Sequence, residues 1–169
     1  MKISTKVTML FLALFMTSIS FAQDKKPASP PATAKGTING ANITINYSSP
    51  FVKGREIWGD LVPYGQVWRA GANAPTTFET DKALKIEGYE LPAGKYALYV
   101  IPEKDHAIVI FGKDPSIGAN KYDQANDQLR VTVKTRKSKE MNESLVYKID
   151  DKKITLSWEN LDIPMHIRN

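Results

Sequence analysis

Short segments of alternating or continuously apolar residues, separated by turn residues, dominate the chain after residue 35. Alternation of apolar and polar residues is typical of strands that bury one face, whereas continuous apolar runs of strand length are buried on both faces. Residues 95–101 and 107–111 are runs of the second kind, so we expect them to form central strands. About nine strands at spacings of about 8–12 residues predict an all-β fold, a jelly-roll-like antiparallel β-sandwich.

Two local features add detail to this predicted sandwich. Asn39 and Gly40 separate two strand-like segments, and this dipeptide suits the positive φ angles of a tight hairpin turn. The alternating residues after position 162 predict a closing strand. Because proline cannot donate a ladder hydrogen bond, Pro164 predicts that this strand lies at a sheet edge.

Residues 50–75 depart from the strand pattern, because they show neither sustained alternation nor a long helical face. Irregular connections of this length are uncommon in compact domains and tend to be functional. Aromatic faces stack on sugar rings or on arginine, and arginine and asparagine form directional hydrogen bonds. We therefore expect this one long irregular loop to bind a carbohydrate or a small polar ligand, such as a carboxylated one. The candidate contacts are Arg55, Trp58, Tyr64, Trp68, Arg69 and Asn73.

The same loop residues also fit a purely structural role. The three aromatic side chains could cap the open end of the sandwich, with both arginines bonded to loop carbonyls. For the aromatic residues alone this interpretation is favoured, because buried aromatic side chains dominate core energetics. For Arg69 with Asn73 both interpretations stay open, because a buried charge needs a partner or a purpose.

The first 35 residues are predicted to precede the folded domain. Residues 1–22 combine a basic start, an apolar run and small residues at Ser20 and Ala22, which is the pattern of a secretory signal peptide. The apolar run is shorter than the roughly 20 residues that span a bilayer. Residues 23–35 are rich in proline, alanine and lysine and predict a linker. We therefore expect a domain over residues 36–169 that is exported, periplasmic or extracellular, after cleavage near Ala22.

Composition and charge exclude several classes of function. The chain has no cysteine, which excludes disulfides, thiolate metal sites and a cysteine nucleophile. Its formal net charge is +5, and loss of Lys2 and Lys6 with the signal peptide leaves +3. So small an excess does not support binding to nucleic acid, which needs a concentrated basic surface. The basic cluster at residues 134–139 has no interleaved aromatic residue and fits a solvated hairpin end.

The residues that could carry catalysis or bind metal form no recognisable constellation. His106 and His166 lack the convergent ligands that zinc or iron sites need, so we expect no metal and no cofactor. The chain has neither a nucleophile elbow nor a glycine-rich phosphate loop. A pair of acids among residues 60–90 remains an open alternative, since glycoside hydrolases use two carboxylates. The protein would then be an enzyme acting on a saccharide or another envelope component.

A set of short motifs, most of them in residues 47–94, carries a family resemblance. They are Tyr47-Ser-Ser-Pro50, Lys53-Gly-Arg55, Trp58-Gly59, Leu61-Val-Pro-Tyr-Gly65, Val67-Trp-Arg69, Gly71-Ala-Asn73 and Leu91-Pro-Ala-Gly94. On these motifs the chain, from about residue 34 onward, resembles a family of secreted bacterial proteins catalogued as domain of unknown function 2911. The resemblance implies an exported β-sandwich and supplies neither a substrate nor catalytic residues. Ala70 and Ala74 depart from the threonine and glutamate that the family leads us to expect.

These observations favour a binding or structural module of the cell envelope without catalytic residues. Two structural findings would separate this hypothesis from its alternatives. A cleft with two close carboxylates beside Trp68 would favour the enzyme. Burial of Arg69 against loop carbonyls, with no cleft beside it, would favour a purely structural role.

Overall fold

The computed structural model describes residues 28–168, so the predicted signal peptide and the start of the predicted linker lie outside the described residues. Two single-turn 3-10 helices, Ala119–Lys121 and Gln124–Asn126, lie between the seventh and eighth strands. In this part of the chain no helix has the length and apolar character needed to cross a membrane. The strands are β1 (Pro31–Ile38), β2 (Ala41–Ser48), β3 (Thr77–Thr80), β4 (Leu84–Ile86), β5 (Tyr89–Leu91), β6 (Gly94–Pro102), β7 (His106–Gly112), β8 (Asp127–Lys134), β9 (Arg136–Asp150) and β10 (Lys153–Arg168).

The strands form two antiparallel sheets, which confirms the predicted all-β class. The larger sheet has six strands in the order β1-β2-β3-β6-β7-β8, and the smaller has four in the order β5-β4-β10-β9. The order of the larger sheet follows the chain, except that β4 and β5 leave it for the smaller sheet. Apolar side chains of both sheets form one buried cluster, exemplified by Ile45 and Val109 of the larger sheet and Ile86 and Leu156 of the smaller. Burial between the two sheets therefore provides the core of a sandwich.

The predicted hairpin turn joins β1 to β2. Asn39 and Gly40 have φ angles of 51° and 75°, and Ile38 pairs with Ala41 on either side of them. Positive φ at both central residues suits the twist of a two-residue hairpin, and glycine adopts it without a steric cost. The prediction of a tight turn at this dipeptide is confirmed.

Residues 31–35 belong to β1, although the sequence pattern placed them in the linker. The ladder with β2 runs without interruption from Pro31 opposite Ser48 to Ile38 opposite Ala41. Because β1 is an edge strand, it tolerates a proline. Its half-buried positions before Ile38 hold only alanine and glycine, so no alternation of large apolar residues marked it. The described fold thus extends to Pro31 instead of beginning at residue 36.

The two continuous apolar runs form central strands, as predicted, and both of their faces are covered. Leu98 of β6 joins the core between the sheets, while Tyr99 and Ile110 form a second buried cluster on the outer face. The segment after β7 covers this cluster: the Tyr99 hydroxyl donates to the Ile117 carbonyl at 2.5 Å, and Tyr122 packs edge-on against Tyr99. A strand covered on both faces has no polar face, which explains the missing alternation.

The prediction of a separate closing strand at a sheet edge was wrong. Residues 153–168 form the single strand β10, which lies between β4 and β9 inside the smaller sheet. The registered pairs with β9 end at Asp162, and those with β4 begin at Ile167. Pro164 lies between these two ladders. A proline is tolerated inside the sheet here because neither neighbouring strand is registered against that position.

Candidate functional site

The irregular loop over residues 50–75 is hydrogen-bonded to both sheets. The Val52 amide donates to the Glu143 carbonyl of β9 at 2.7 Å. Trp68 and Val100 of β6 exchange two backbone hydrogen bonds of 2.8 and 2.9 Å. Because buried backbone groups must find partners, these bonds fix a segment that has no regular secondary structure of its own. The loop is therefore a defined part of the fold.

The backbone at Ala70 is the innermost part of this loop. Ala70 is fully buried with a φ of 51°, and its carbonyl accepts from the Tyr147 hydroxyl at 2.7 Å and from Thr76 Oγ1 at 3.2 Å. A β-branched residue is strongly disfavoured at positive φ. Alanine at this position, where the family resemblance led us to expect threonine, thus suits the observed backbone. Burial, followed by repulsion from Tyr47, raises the pKa of Tyr147 well above its ordinary value.

The three tryptophans of the chain, Trp58 and Trp68 of the loop and Trp158 of β10, pack together. Trp68 stacks on Trp158 with ring centroids 5.8 Å apart, and Trp58 meets them edge-on at 5.7 and 6.1 Å. Trp58 is buried, and its Nε1 donates to the Trp158 carbonyl at 3.3 Å, whereas Trp68 is only half-buried. Edge-on and offset-stacked arrangements are those that aromatic rings prefer. Trp58 is therefore a core residue, and Trp68 lies at the boundary between core and solvent.

A hollow of about 260 Å³ lies beside this tryptophan cluster. Three of the sequence-predicted contacts line it, namely Arg55, Trp68 and Arg69, and Trp158 lines it with them. A second hollow of about 200 Å³ shares Trp68 and Arg69. Among the described residues, no carboxylate lines either hollow. The arrangement joins two guanidinium groups to an indole surface and offers no acidic partner to either cation.

Both arginines are held by loop carbonyls but keep unused donors. Arg55 donates from Nε to the Val52 carbonyl at 3.1 Å and from Nη2 to the Phe51 carbonyl at 2.5 Å. Arg69 donates from Nη1 to the Asn73 carbonyl. A guanidinium carries five N–H donors, so these bonds orient each group without saturating it. Within residues 28–168 neither arginine forms an ion pair.

Tyr64 and Asn73, the two remaining predicted contacts, do not line the hollow. The Tyr64 ring packs over Gly59, where an added Cβ would lie 2.9 Å from Cε2. Asn73 has a φ of 55°, and its side-chain amide donates to the Ser29 carbonyl at 3.2 Å. Since the Asn73 carbonyl also accepts from Arg69, this residue positions the arginine and the segment around Ser29.

Trp158 and Ser29 also line the hollow, although no sequence pattern singled them out. Trp158 lies on the core face of β10, where its alternation with polar neighbours gives the signal of an ordinary core residue. Ser29 lies before β1, in the stretch that was predicted to be linker. Only the pairing of distant strands brings these residues to the loop, and no local sequence signal reports such pairing.

The two histidines lie away from the hollow and make surface contacts. His106 Nδ1 is 2.7 Å from Asp105 Oδ1, and His166 Nδ1 is 3.0 Å from Glu87 Oε1. Both imidazole side chains are about half exposed. Over the described residues, no group of three or more histidine, cysteine, aspartate or glutamate side chains is placed to hold a metal ion.

Fold and site together define an antiparallel β-sandwich protein in which an irregular loop and a tryptophan cluster border a cationic hollow. A family model described as protein of unknown function (DUF2911) matches residues 29–167, so the chain belongs to this family. The matched region begins two residues before β1, in agreement with the strand boundary in the structure. No curated protein and no solved structure matches the chain.

Proposed function

We propose that the protein is a ligand-binding module that takes a small carboxylated ligand, such as an acidic saccharide, in the hollow beside Trp68. The observation that carries this proposal is the presence of Arg55 and Arg69 on one hollow without an acidic partner in the described part of the chain. Guanidinium groups bind carboxylates through paired, planar hydrogen bonds. The half-buried indole of Trp68 supplies an apolar face on which a sugar ring can stack.

Electrostatics supports a ligand that carries negative charge. Two cations beside the same hollow repel each other, and a bound carboxylate would relieve that repulsion. The hydrogen bonds from Arg55 and Arg69 to loop carbonyls orient both guanidinium groups before a ligand binds. This orientation lowers the entropy cost of binding. The hollow is somewhat smaller than the roughly 300–1,000 Å³ of typical ligand sites, which favours a small ligand.

The enzymatic alternative requires two carboxylates a few ångströms apart in a cleft. The lining of both hollows beside Trp68 contains no acid among the described residues, so this site gives that alternative no support. A purely structural role would need saturated guanidinium groups and no hollow. The unused donors and the hollow itself favour ligand binding over that role.

Titration of the purified protein with glucuronate, followed by tryptophan fluorescence, tests the proposal. We expect glucuronate to change the emission and neutral glucose to leave it unchanged. Replacement of a charged hydrogen-bond donor costs about 1.5–3 kcal/mol, so Arg55→Gln and Arg69→Gln should each weaken binding at least about tenfold. Arg168→Gln is the matched control, because it removes a guanidinium that lines neither hollow. Equal responses to glucuronate and glucose, or equal losses in all three variants, would contradict the proposal.

We also propose that residues 1–22 direct export of the chain to the periplasm or beyond. The support is the basic start, the apolar run and the small residues before position 23. Expression of the full chain in a bacterial host, followed by fractionation and intact-mass measurement, tests this. We expect a mature protein outside the cytoplasm that starts at Gln23. An uncleaved chain retained in the cytoplasm would contradict the proposal.

A further inference from the structure

A cavity of about 420 Å³ lies on the β9–β10 hairpin, on the face opposite the core. Side chains alternate between the two faces of a strand. Ile154 and Leu156 of β10 point into the core, whereas Thr155 and Ser157 line the cavity. This cavity shares no lining residue with the hollow beside Trp68. It is therefore a separate feature that does not depend on the function proposed above.

A change of register in the hairpin accompanies this cavity. Ser157 pairs with Val146, but Leu161, only four residues further along β10, pairs with Lys137, nine residues further back along β9. The extra residues of β9 must bulge away from the regular ladder. The bulging segment includes Ser138, which lines the cavity. A strand that bulges in this way bends, so the hairpin can enclose space on its outer side.

Cationic side chains predominate around the cavity. Five cationic side chains line the cavity, against three acidic ones, Glu140, Asp150 and Asp162. Two of these acids are paired, since Arg136 lies 3.4 Å from Asp162 and Lys153 lies 3.9 Å from Asp150. The five cations are Arg136, Lys137, Lys139, Lys148 and Lys153.

Three of the lysines in the cavity lining are left without an acidic partner. Within the described chain, Lys137, Lys139 and Lys148 form no ion pair. Lys137 and Lys139 belong to the basic cluster at residues 134–139, and Lys148 lies near the C-terminal end of β9. The cluster is not a hairpin end, as its composition suggested, because the chain passes there from β8 of the larger sheet to β9 of the smaller.

Buried hydroxyl groups add hydrogen-bonding capacity to the cavity lining. Ser138 and Ser157 donate to Asp162 Oδ1 at 2.6 and 2.7 Å, so this acid is occupied by its neighbours. Thr155 is only 4% exposed, and its Oγ1 has no hydrogen-bond partner among the described residues. Buried hydroxyl groups are rarely left unpaired in folded proteins. Thr155 is thus a buried donor for which residues 28–168 supply no acceptor.

We propose that this cavity binds the phosphate or sulfate ester of a small sugar or polyol. A tetrahedral oxyanion accepts hydrogen bonds in several directions, and lysine binds it as a point charge. Lys137, Lys139 and Lys148 supply the charge, and Thr155 supplies a neutral donor. The volume lies within the range of small-molecule sites and leaves room for an organic body beside the anionic group. Glu140 and other acceptors in the lining suit the hydroxyl groups of such a body.

Amide NMR titration of the purified protein with glucose 6-phosphate, glucose 6-sulfate and glucose tests this inference. We expect either ester to shift resonances of residues 136–162, while glucose does not. Measurements at about pH 7.5 and about pH 5.5 distinguish the two esters, because only phosphate changes its charge near pH 6. A phosphate ester should bind more weakly at the lower pH, and the ester that binds more tightly identifies the preferred group.

Matched variants show whether binding occurs in the cavity. Lys148→Gln and Thr155→Val should each weaken ester binding about fivefold, the usual effect of losing one modest polar interaction. Lys104→Gln removes the same charge from an exposed turn outside the cavity and should leave binding unchanged. Thr155→Val keeps the side-chain shape, so the variant should fold. The absence of ester-induced shifts in residues 136–162, equal weakening by both lysine variants, or unchanged binding in Thr155→Val would overturn the proposal.

Discussion

Trp68 of the irregular loop stacks on Trp158 of β10, with ring centroids 5.8 Å apart and 18° between the ring planes. This contact joins the loop to the smaller sheet, and the backbone bonds between Trp68 and Val100 join the same residue to the larger sheet. Loop, core and hollow therefore meet at one side chain. Its removal should affect both the stability of the fold and the shape of the hollow.

Trp68→Ala should lower the free energy of unfolding by about 2–4 kcal/mol. This loss is somewhat smaller than the roughly 3–5 kcal/mol expected for a fully buried tryptophan, because Trp68 is half-buried. Trp68→Phe should cost less, since a ring can still pack against Trp158. Urea denaturation followed by far-UV circular dichroism measures both effects. Tyr89→Ala is the control, because Tyr89 is 63% exposed and should cost less than about 0.5 kcal/mol. Equal costs for Trp68→Ala and Tyr89→Ala would contradict the packing of Trp68 on Trp158.

Tyr147→Phe should destabilise the protein at neutral pH by about 1 kcal/mol, the usual net value of a hydrogen bond. The variant loses the bond from the Tyr147 hydroxyl to the Ala70 carbonyl, which keeps its bond from Thr76 Oγ1. Denaturant unfolding at neutral pH measures the difference. Tyr89→Phe, at an exposed position, is the matched control and should not change stability.

The stabilisation by Tyr147 should decrease at alkaline pH. Burial raises the pKa of Tyr147 well above its ordinary value, so the folded protein keeps the phenolic proton. In the unfolded chain the proton is lost near about pH 10, so the unfolded state binds fewer protons above that pH and the free energy of unfolding falls. Tyr147→Phe has no such proton and should show a flatter alkaline profile. Parallel profiles of the two proteins above about pH 10 would show that Tyr147 is not buried.

The features that could be predicted from sequence are those fixed by neighbouring residues. The turn at Asn39 and Gly40 could be predicted because the φ preferences of these two residues determine it. Burial of both faces of β6 and β7 could be predicted because their apolar runs leave no polar face. The first five residues of β1 were not predicted as strand because the half-buried side chains before Ile38 are small. The ladder with β2 is what defines this strand.

The candidate site could be predicted only in part, for the same reason. The composition of residues 50–75 singled out Arg55, Trp68 and Arg69, which the structure places on one hollow. Trp158 reaches that hollow through the pairing and packing of β10, which a single sequence does not encode locally. The buried environment of Thr155 likewise follows from the bulge in β9.

Asp162→Asn should destabilise the protein by about 1–2 kcal/mol at neutral pH, because Ser138 and Ser157 donate to the carboxylate. Burial acts to raise the pKa of Asp162, but the two hydroxyl bonds and Arg136 outweigh it and lower the pKa. A lowered folded-state pKa gives stability that is present above the ordinary carboxyl pKa and is lost as the pH falls through the folded-state pKa.

The difference between wild type and Asp162→Asn should therefore shrink in acid, below about pH 4. Unfolding curves collected across the acidic range measure this convergence. Asp151→Asn removes an exposed carboxylate in the β9–β10 turn and should be neutral throughout. A constant difference between wild type and Asp162→Asn at every pH would mean that the charge of Asp162 does not contribute.

Gly36→Ala tests whether β1 belongs to the folded domain. A Cβ on Gly36 would lie 2.5 Å from Ile149 Cγ2 and 2.8 Å from Ile149 Cβ, closer than side-chain atoms tolerate. Because Ile149 packs against the core, it cannot move away freely, and we expect a loss of about 1–3 kcal/mol in denaturant unfolding. Lys35→Ala, at the exposed neighbouring position, should change stability by less than about 0.5 kcal/mol. If both variants were equally stable, β1 would not pack on β9, and residues 31–35 would be the linker that their composition suggested.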